Sequence, residues 1–337
     1  MKRIGLFGGS FNPIHEGHIA IAKEVRKRFQ LQEIWFLPTA STPLKEELEV
    51  SFRNRCQMIR LAIRPYRYMK LSQVEETLPL PSYTFNTVSK LRKIYPDIEF
   101  FWIIGYDQYK QLNQWYKIDE LKRMIQFIVV NRGNEKLKTE FLQLSNFDHS
   151  ASSTAIRNGD FKFLYPSVRN YIIANVLYFL KFLPQYYSNE RWLHAKSVAH
   201  WCQEIAKGNN INENDALLTG YMHDIAKKMS QKEMQTIMET YFKEQMHYDV
   251  KVWHQFVGYY LAKYQFFIKN RRILDAIAHH TTGTSFSKFS KMLYCADKID
   301  DTRSYNTSYF RKLVVQDLNS AFILIYQEAE KYRNEKE

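Results

Sequence analysis

Short apolar, β-branched runs alternate with helix-period segments through the first half of this 337-residue chain, and then the strand signal stops. That switch limits the fold more than any single residue does. "KRIGLF" (2–7), "EIWFLPT" (33–39), "EFFWIIG" (99–105) and "QFIVVNR" (126–132) have the character of buried parallel strands. Between them, "HIAIAKEVRKRF" (18–29), "SFRNRCQMIRLAI" (51–63) and "PSYTFNTVSKLRKIYP" (81–96) carry helical spacing. This alternation predicts a doubly wound α/β domain with a parallel sheet, closed by a helix over "PSVRNYIIANVLYFL" (166–180). From Arg191 onward only amphipathic helices are apparent, which predicts an all-α helical bundle. Two domains are therefore expected, 1–185 and 186–337.

The net charge of +13 falls mainly on the first half, with 27 Lys/Arg against 17 Asp/Glu over residues 1–185 and 21 against 18 over 186–337. A basic first half suits an anionic ligand, either a nucleotide or a nucleic acid. The basic residues are dispersed and no RNA-binding motif accompanies them, so no specific nucleic acid is expected. A basic RNA-binding protein with a structural helical bundle is the rival from another class. Three widely spaced cysteines (Cys56, Cys202, Cys295) without C-x-x-C argue for a reducing compartment. Glycines break the apolar opening too early for a signal peptide. "YIIANVLYFLKFL" (171–183) is too short to span a membrane and contains Asn175 and Lys181. The expectation is a cytoplasmic protein with no membrane partner, for which a homo-oligomer is one allowed arrangement.

Two groups of residues carry chemistry. "GLFGGSFNPIHEGH" (5–18) follows the first strand. Glycines there let backbone N–H groups approach a phosphate, and the following helix N-terminus adds a favourable dipole. His15 and His18 are three apart and share a helix face, aimed at the crevice where such sheets bind ligands. Further on, "SASSTAIR" (150–157) reads as a Ser-capped helix start, with Ser152 or Ser153 as cap and Arg157 one turn inside. Two helix N-termini and several donors suit a triphosphate.

"GGSFNPIHEGH" and "SSTAIR" strongly resemble the nicotinate mononucleotide adenylyltransferases of the HxGH nucleotidyltransferase superfamily, over roughly residues 1–180. "TPLKEELEVSFRNRCQMIRLAI", running from a substrate loop into a helix bearing Arg55, "PSYTFNTVSKL" and "WYKIDEL" resemble further family landmarks. "FFWIIGYD" departs from one, with Tyr106 replacing the usual alanine beside Asp107. The resemblance implies transfer of AMP from ATP, with Mg²⁺, to nicotinate mononucleotide, giving deamido-NAD and pyrophosphate. It implies that Gly8, Gly9, Ser10 and Phe11 form the nucleotide turn and that His15 and His18 contact ATP phosphates, His18 stabilising charge at the transition state. Ser153 and Arg157 would hold the β,γ end, Asp107 the ribose, and Thr84 and Trp115 the nicotinate side. Nicotinate and nicotinamide mononucleotide both stay open as substrates. A pantetheine-phosphate adenylyltransferase is the rival, against which "SYTFNT" and "SSTAIR" speak.

The second group lies in the helical half: His194, His223–Asp224, His254, His279–His280 and Asp297, each in its own helix-like segment. Imidazole and carboxylate are ligands for Fe, Mn or Zn with open positions. Polar groups inside apolar runs are hard to explain as solvated faces, whereas His200 and His247 read as surface. The order H…HD…H…HH…D resembles the HD-domain metal phosphohydrolases. "HHTTG" with "YCADKID" is most similar to the YqeK-type branch, which cleaves diadenosine tetraphosphate to ADP. That resemblance implies Fe or another divalent transition metal, as two ions. His194, His223, Asp224 and Asp297 would hold one and His254 and His280 complete the other, with His279 as ligand or outer partner. Lys227 would neutralise phosphate charge.

Overall fold

The computed structural model describes residues 1–40, 50–131 and 139–335. Most of the expected substrate loop (42–49) and Arg132 lie outside the described residues. The chain divides into two compact units, Met1–Tyr171 and Ile172–Glu337.

The first unit is built on β1 (Lys2–Gly9), β2 (Glu33–Pro38), β3 (Met69–Leu71), β4 (Ile98–Gly105), β5 (Gln126–Val130) and β6 (Leu142–Leu144). All five pairings are parallel, in the order β3-β2-β1-β4-β5-β6. The helices between them are α1 (Glu16–Arg28), α2 (Phe52–Ile63), α3 (Thr84–Ile94), α4 (Tyr106–Lys110) and α5 (Ile118–Met124), and α6 (Ser153–Arg157) follows β6. The doubly wound α/β expectation is met. Ile4 and Leu6 of β1 enter one core with Trp35, Val88, Phe100 and Trp102. On the other face Gly5 leaves no room for a side chain, since a Cβ there would lie 2.7 Å from Ile34 Cδ1.

The single helix expected over 166–180 is interrupted. α7 (Pro166–Ala174) is followed by Val176 and Tyr178 with φ of 51° and 69°, and only then by α8 (Phe179–Phe182). A right-handed helix cannot continue through left-handed residues. Phe182 stacks on Phe266 at 5.3 Å, and the Tyr187 hydroxyl donates to the Tyr221 carbonyl at 2.7 Å. Residues 172–185 thus group with the helical unit, ahead of the junction expected at residue 185.

The second unit contains α9 (Asn189–Gly208), α10 (Glu213–Met222), α11 (Gln231–Tyr241), α12 (Val250–Tyr260), α13 (Arg271–His279), α14 (Lys288–Ile299), α15 (Ser308–Gln316) and α16 (Leu318–Asn334). Side-chain oxygens of Ser188, Asn212, Ser230, Asp249, Asn270 and Ser287 cap α9 to α14 in turn, fixing where each helix starts. Gly220 lets α10 press against α9; a Cβ there would fall 2.4 Å from Ala199 Cα. Among the described residues no helix is long and apolar enough to cross a membrane.

Candidate active sites

β1 ends in Gly8 and Gly9, beside β4, where the strand order reverses. Open α/β sheets leave a ligand crevice beyond their carboxyl ends at such a point. Gly8 lies against an indole: a Cβ would sit 2.6 Å from Trp102 Cζ2. Phe11 is left-handed (φ 44°) and buried. A bulky residue holds that backbone only where packing fixes it. Here the Phe7, Phe36 and His18 rings do so, at 5.5, 5.5 and 5.1 Å. Arg55, wholly buried, donates to the carbonyls of Ser10 and Thr39 (2.8 Å each) and Val50 (3.3 Å). It therefore clamps the turn.

His15 caps α1 and His18 is its third residue; their rings stack at 3.7 Å. The His15 backbone N–H donates to His18 Nδ1 at 3.2 Å. In neutral His18 that bond places the ring proton on Nε2, which becomes a donor. Across from it, Ser153 Oγ donates to the Pro13 carbonyl (2.9 Å) and Arg157 to the Asn12 carbonyl (2.7 Å). Ser152, not Ser153, is the cap of α6, accepting the Ala155 N–H. Gly8 to Phe11, His15, His18, Ser153 and Arg157 thus form one connected group.

Asp107 is exposed in the first turn of α4, at the same sheet edge, with Tyr106 facing Tyr109 across 6.1 Å. Thr84 opens α3, while Trp115 is half-buried against Phe127 at 6.3 Å. Their neighbours draw these two segments together, since the Tyr116 ring lies 4.8 Å from Tyr83 and 6.0 Å from Phe85.

In the second unit, His194 (α9), His223 and Asp224 (just past α10), His254 (α12), His280 (just past α13) and Asp297 (α14) meet in one buried cluster. The imidazoles share an orientation. Nδ1 of His223, His254 and His280 faces the carbonyl three residues earlier, at Gly220, Lys251 and Ile277, at 2.7, 2.8 and 2.8 Å. Nδ1 of His194 faces Asp300 Oδ1 at 3.3 Å. Each of those partners accepts, so Nδ1 carries the proton and the Nε2 lone pairs turn inward. They meet in pairs, His194 with His223 at 3.3 Å and His254 with His280 at 3.2 Å.

Asp224 lies between the pairs. Its Oδ2 is 3.7 Å from His223 Nε2 and 4.0 Å from His194 Nε2, and its Oδ1 is 3.3 and 3.4 Å from His254 and His280. Asp297 Oδ1 adds to the first pair, 3.2 Å from His194 Nε2. Facing lone pairs beside carboxylates call for a cation, and N/O donors of this kind fit a divalent ion. Burial drives His223 down to about 4, keeping it neutral. Burial also opposes charge on His194, but Asp297 and Asp300 outweigh it and lift the ring to about 9, so the proton that Asp297 holds on His194 Nε2 must leave before that nitrogen can ligate a cation. Burial likewise opposes Asp224 and Asp297, yet the surrounding imidazoles, with Lys298 and Arg303 at Asp297, hold both well below the usual carboxylate range.

Lys227 Nζ stands 3.0 Å from His254 Nε2 and 3.9 Å from Asp224 Oδ1, its pKa depressed by burial. His279 points elsewhere, 3.3 Å from Asp275 Oδ1, and His200 and His247 are exposed, outside the cluster. Sequence reasoning missed Asp300, which is fully buried and orients His194. It also missed Arg191, 3.3 Å from Asp224 Oδ2, and Arg303, 2.9 Å from Asp297 Oδ1.

Residues 6–159 match the cytidylyltransferase-like family model and residues 191–302 the HD domain model. A Mycoplasma genitalium protein named "probable nicotinate-nucleotide adenylyltransferase/Ap4A hydrolase" is 30% identical over 310 residues, covering 90% of this chain and 88% of that one. A Mycoplasma pneumoniae protein of the same name is 26% identical, covering 94% and 96%. The nicotinate-nucleotide adenylyltransferase of Bacillus subtilis is 42% identical over 191 residues, 53% of this chain and 99% of its own length. With a parallel nucleotide-type sheet, a helical HD unit and a relative matched across both, the chain belongs to the nicotinate-nucleotide adenylyltransferase/Ap4A hydrolase family.

Proposed function

We propose that the α/β unit, Met1–Tyr171, transfers AMP from ATP to nicotinate mononucleotide, and that the helical unit, Ile172–Glu337, hydrolyses diadenosine tetraphosphate to two ADP. The first reaction joins the mononucleotide phosphate to the α-phosphorus of ATP and expels pyrophosphate. The observation that carries it is the bonding of Ser153 and Arg157 to the His15–His18 turn, which gathers donors from both ends of the unit. Phosphoryl chemistry of this kind relies on alignment and charge stabilisation rather than a protein nucleophile. His18, with Nε2 as donor, is suited to the charge that develops on the α-phosphoryl oxygens; Arg157 and Ser153 suit the β,γ end. Mg²⁺ enters with ATP as part of the substrate. Thr84 and Trp115 would flank the nicotinate ring and Asp107 the ribose.

For the second reaction, the inward-facing Nε2 pairs bridged by Asp224 carry the reading. His194, His223, Asp224 and Asp297 would hold one divalent ion, and Asp224, His254 and His280 a second. Iron is our first choice among Fe, Mn and Zn. Such ions supply charge that polarises a phosphoryl group and lowers the pKa of water. Lys227 and Arg191 would meet phosphate oxygens at the rim, and Asp300 and the three carbonyls keep each imidazole aimed.

Purified protein given ATP with nicotinate mononucleotide, and separately diadenosine tetraphosphate with Fe²⁺ or Mn²⁺, tests both parts. Deamido-NAD with equimolar pyrophosphate, and two ADP per tetraphosphate, are expected. Absence of the first product pair would refute the α/β reading, and AMP plus ATP from the second would refute symmetric cleavage.

A further inference from the structure

Glu75 follows the short strand β3, and its carboxyl is buried. The Ala40 backbone N–H donates to Oε2 and the Thr87 hydroxyl to Oε1, at 3.3 Å each, and Ser82 contributes another hydrogen bond. The groups bonded to it are neutral donors. Burial therefore dominates, raising the carboxyl to about 7 against the hydrogen bonds and the more distant Arg55 charge. An acid kept this deep and this costly has work beyond filling space.

Its partners show what that work is. Ala40 follows Thr39, whose N–H donates to the Gly9 carbonyl and whose own carbonyl accepts from Arg55. Arg55 in turn holds the Ser10 carbonyl. Ser82 and Thr87 lie on either side of Thr84, and the Thr87 hydroxyl also reaches the Tyr83 carbonyl at 3.4 Å. A continuous run of hydrogen bonds, partly or wholly shielded from solvent, thus leads from the glycine turn through Thr39, Ala40 and Glu75 to the start of α3.

We infer that Glu75 is a positioning residue for adenylyl transfer, the link that sets the start of α3, and so the pyridine-nucleotide side of the site, at a fixed distance from the phosphate turn. The inference rests on the adenylyltransferase reading above. Removing the carboxyl takes the shared acceptor from the Ala40 N–H and from the Thr87 and Ser82 hydroxyls and frees α3 to shift, so binding of the mononucleotide suffers before chemistry does. Glutamine can keep the link: its oxygen accepts from Ala40, and its amide donates to Thr87, whose hydroxyl then turns to the Tyr83 carbonyl.

Steady-state kinetics of the full chain, varying ATP and nicotinate mononucleotide separately, tests this with Glu75→Ala, Glu75→Gln and Thr87→Val. Glu75→Ala is expected to raise KM for the mononucleotide about tenfold or more, with KM for ATP and kcat changed by less than about threefold. Glu75→Gln should restore wild-type constants within about threefold, and Thr87→Val should shift the same KM in the same direction by a smaller factor. If Glu75→Ala does not fold, the other two variants carry the test. Mononucleotide KM values unchanged in Glu75→Ala and Thr87→Val, or equal losses in all constants that glutamine does not restore, overturn the inference. Wild-type protein without deamido-NAD formation overturns the adenylyltransferase reading instead, and this inference with it.

Discussion

At the carboxyl edge of the sheet, a ligand is offered backbone N–H groups, a half-buried imidazole and the partly exposed Arg157. In the helical unit it is offered four buried imidazoles and two buried carboxylates. The first arrangement rests on one buried charge, the Arg55 guanidinium, which directs its donors to backbone carbonyls and holds the turn together with the aromatic rings. The second pays for its geometry with desolvated Asp224 and Asp297 and with Nε2 pairs about 3.3 Å apart. Such groups are tolerated when cations neutralise them. Lys298 at 2.7 Å and Arg303 at 2.9 Å from Asp297, with Arg191 on Asp224, supply part of that charge. The two sites should therefore answer differently to mutation and to metal.

The largest expected separation comes from His18→Ala. Loss of an electrostatic stabiliser costs roughly a hundredfold or more in kcat, and tetraphosphate hydrolysis should stay within twofold of wild type. A deamido-NAD assay showing less than a threefold fall, with the fold intact by circular dichroism, would remove His18 from its role.

Next is Asp300→Asn. The carboxylate that aims His194 becomes a weaker acceptor, and loss of such an outer partner typically costs about 10- to 100-fold in metal affinity or activity. Titration of the apo protein with Mn²⁺ reads this directly. An unchanged dissociation constant would reduce Asp300 to a loop tie for Thr302, to which it is also bonded.

Gly8→Ala probes the other site by packing. The new methyl would meet the buried Trp102 ring at 2.6 Å, so one of the two must shift. Overpacking of this sort costs about 1–3 kcal/mol. Thermal melts should show that loss, together with weaker ATP binding and unaltered metal content. A wild-type Tm would mean the turn relaxes freely, contrary to the clamp described for it. The smallest effects belong to His200→Ala and His247→Ala, exposed positions where about 0.5 kcal/mol is the ceiling; metal content by elemental analysis should not move.

The same contrast explains what could be read from the sequence. His223–Asp224, His254 and His280 stand out because a polar group in an apolar run has no solvated explanation, and they do meet in one cluster. The glycine turn was legible because strand, glycines and paired histidines are contiguous. Asp300 was not: "KIDDTR" reads as an exposed charge run, and only the fold turns Asp300 inward while Asp301 stays outside. Glu75 hid in "VEETLP" for the same reason. β3 and β6 are three residues each, too short to display a period of two. The helix expected over 166–180 is broken at Val176 and Tyr178, whose left-handed backbone is one that no local propensity of Val or Tyr announces.

The most direct test of the central claim, two chemically independent sites on one chain, is Asp224→Ala carried through three assays on the same preparation. This carboxylate reaches both imidazole pairs, at 3.3 to 4.0 Å, and has no part in the glycine turn. Bound metal, by elemental analysis, and tetraphosphate hydrolysis should fall together to background, while deamido-NAD synthesis stays within about twofold of wild type. Full metal occupancy with full hydrolase activity in the variant would contradict the bridging role of Asp224, and loss of deamido-NAD synthesis by a folded variant would contradict the independence of the two sites.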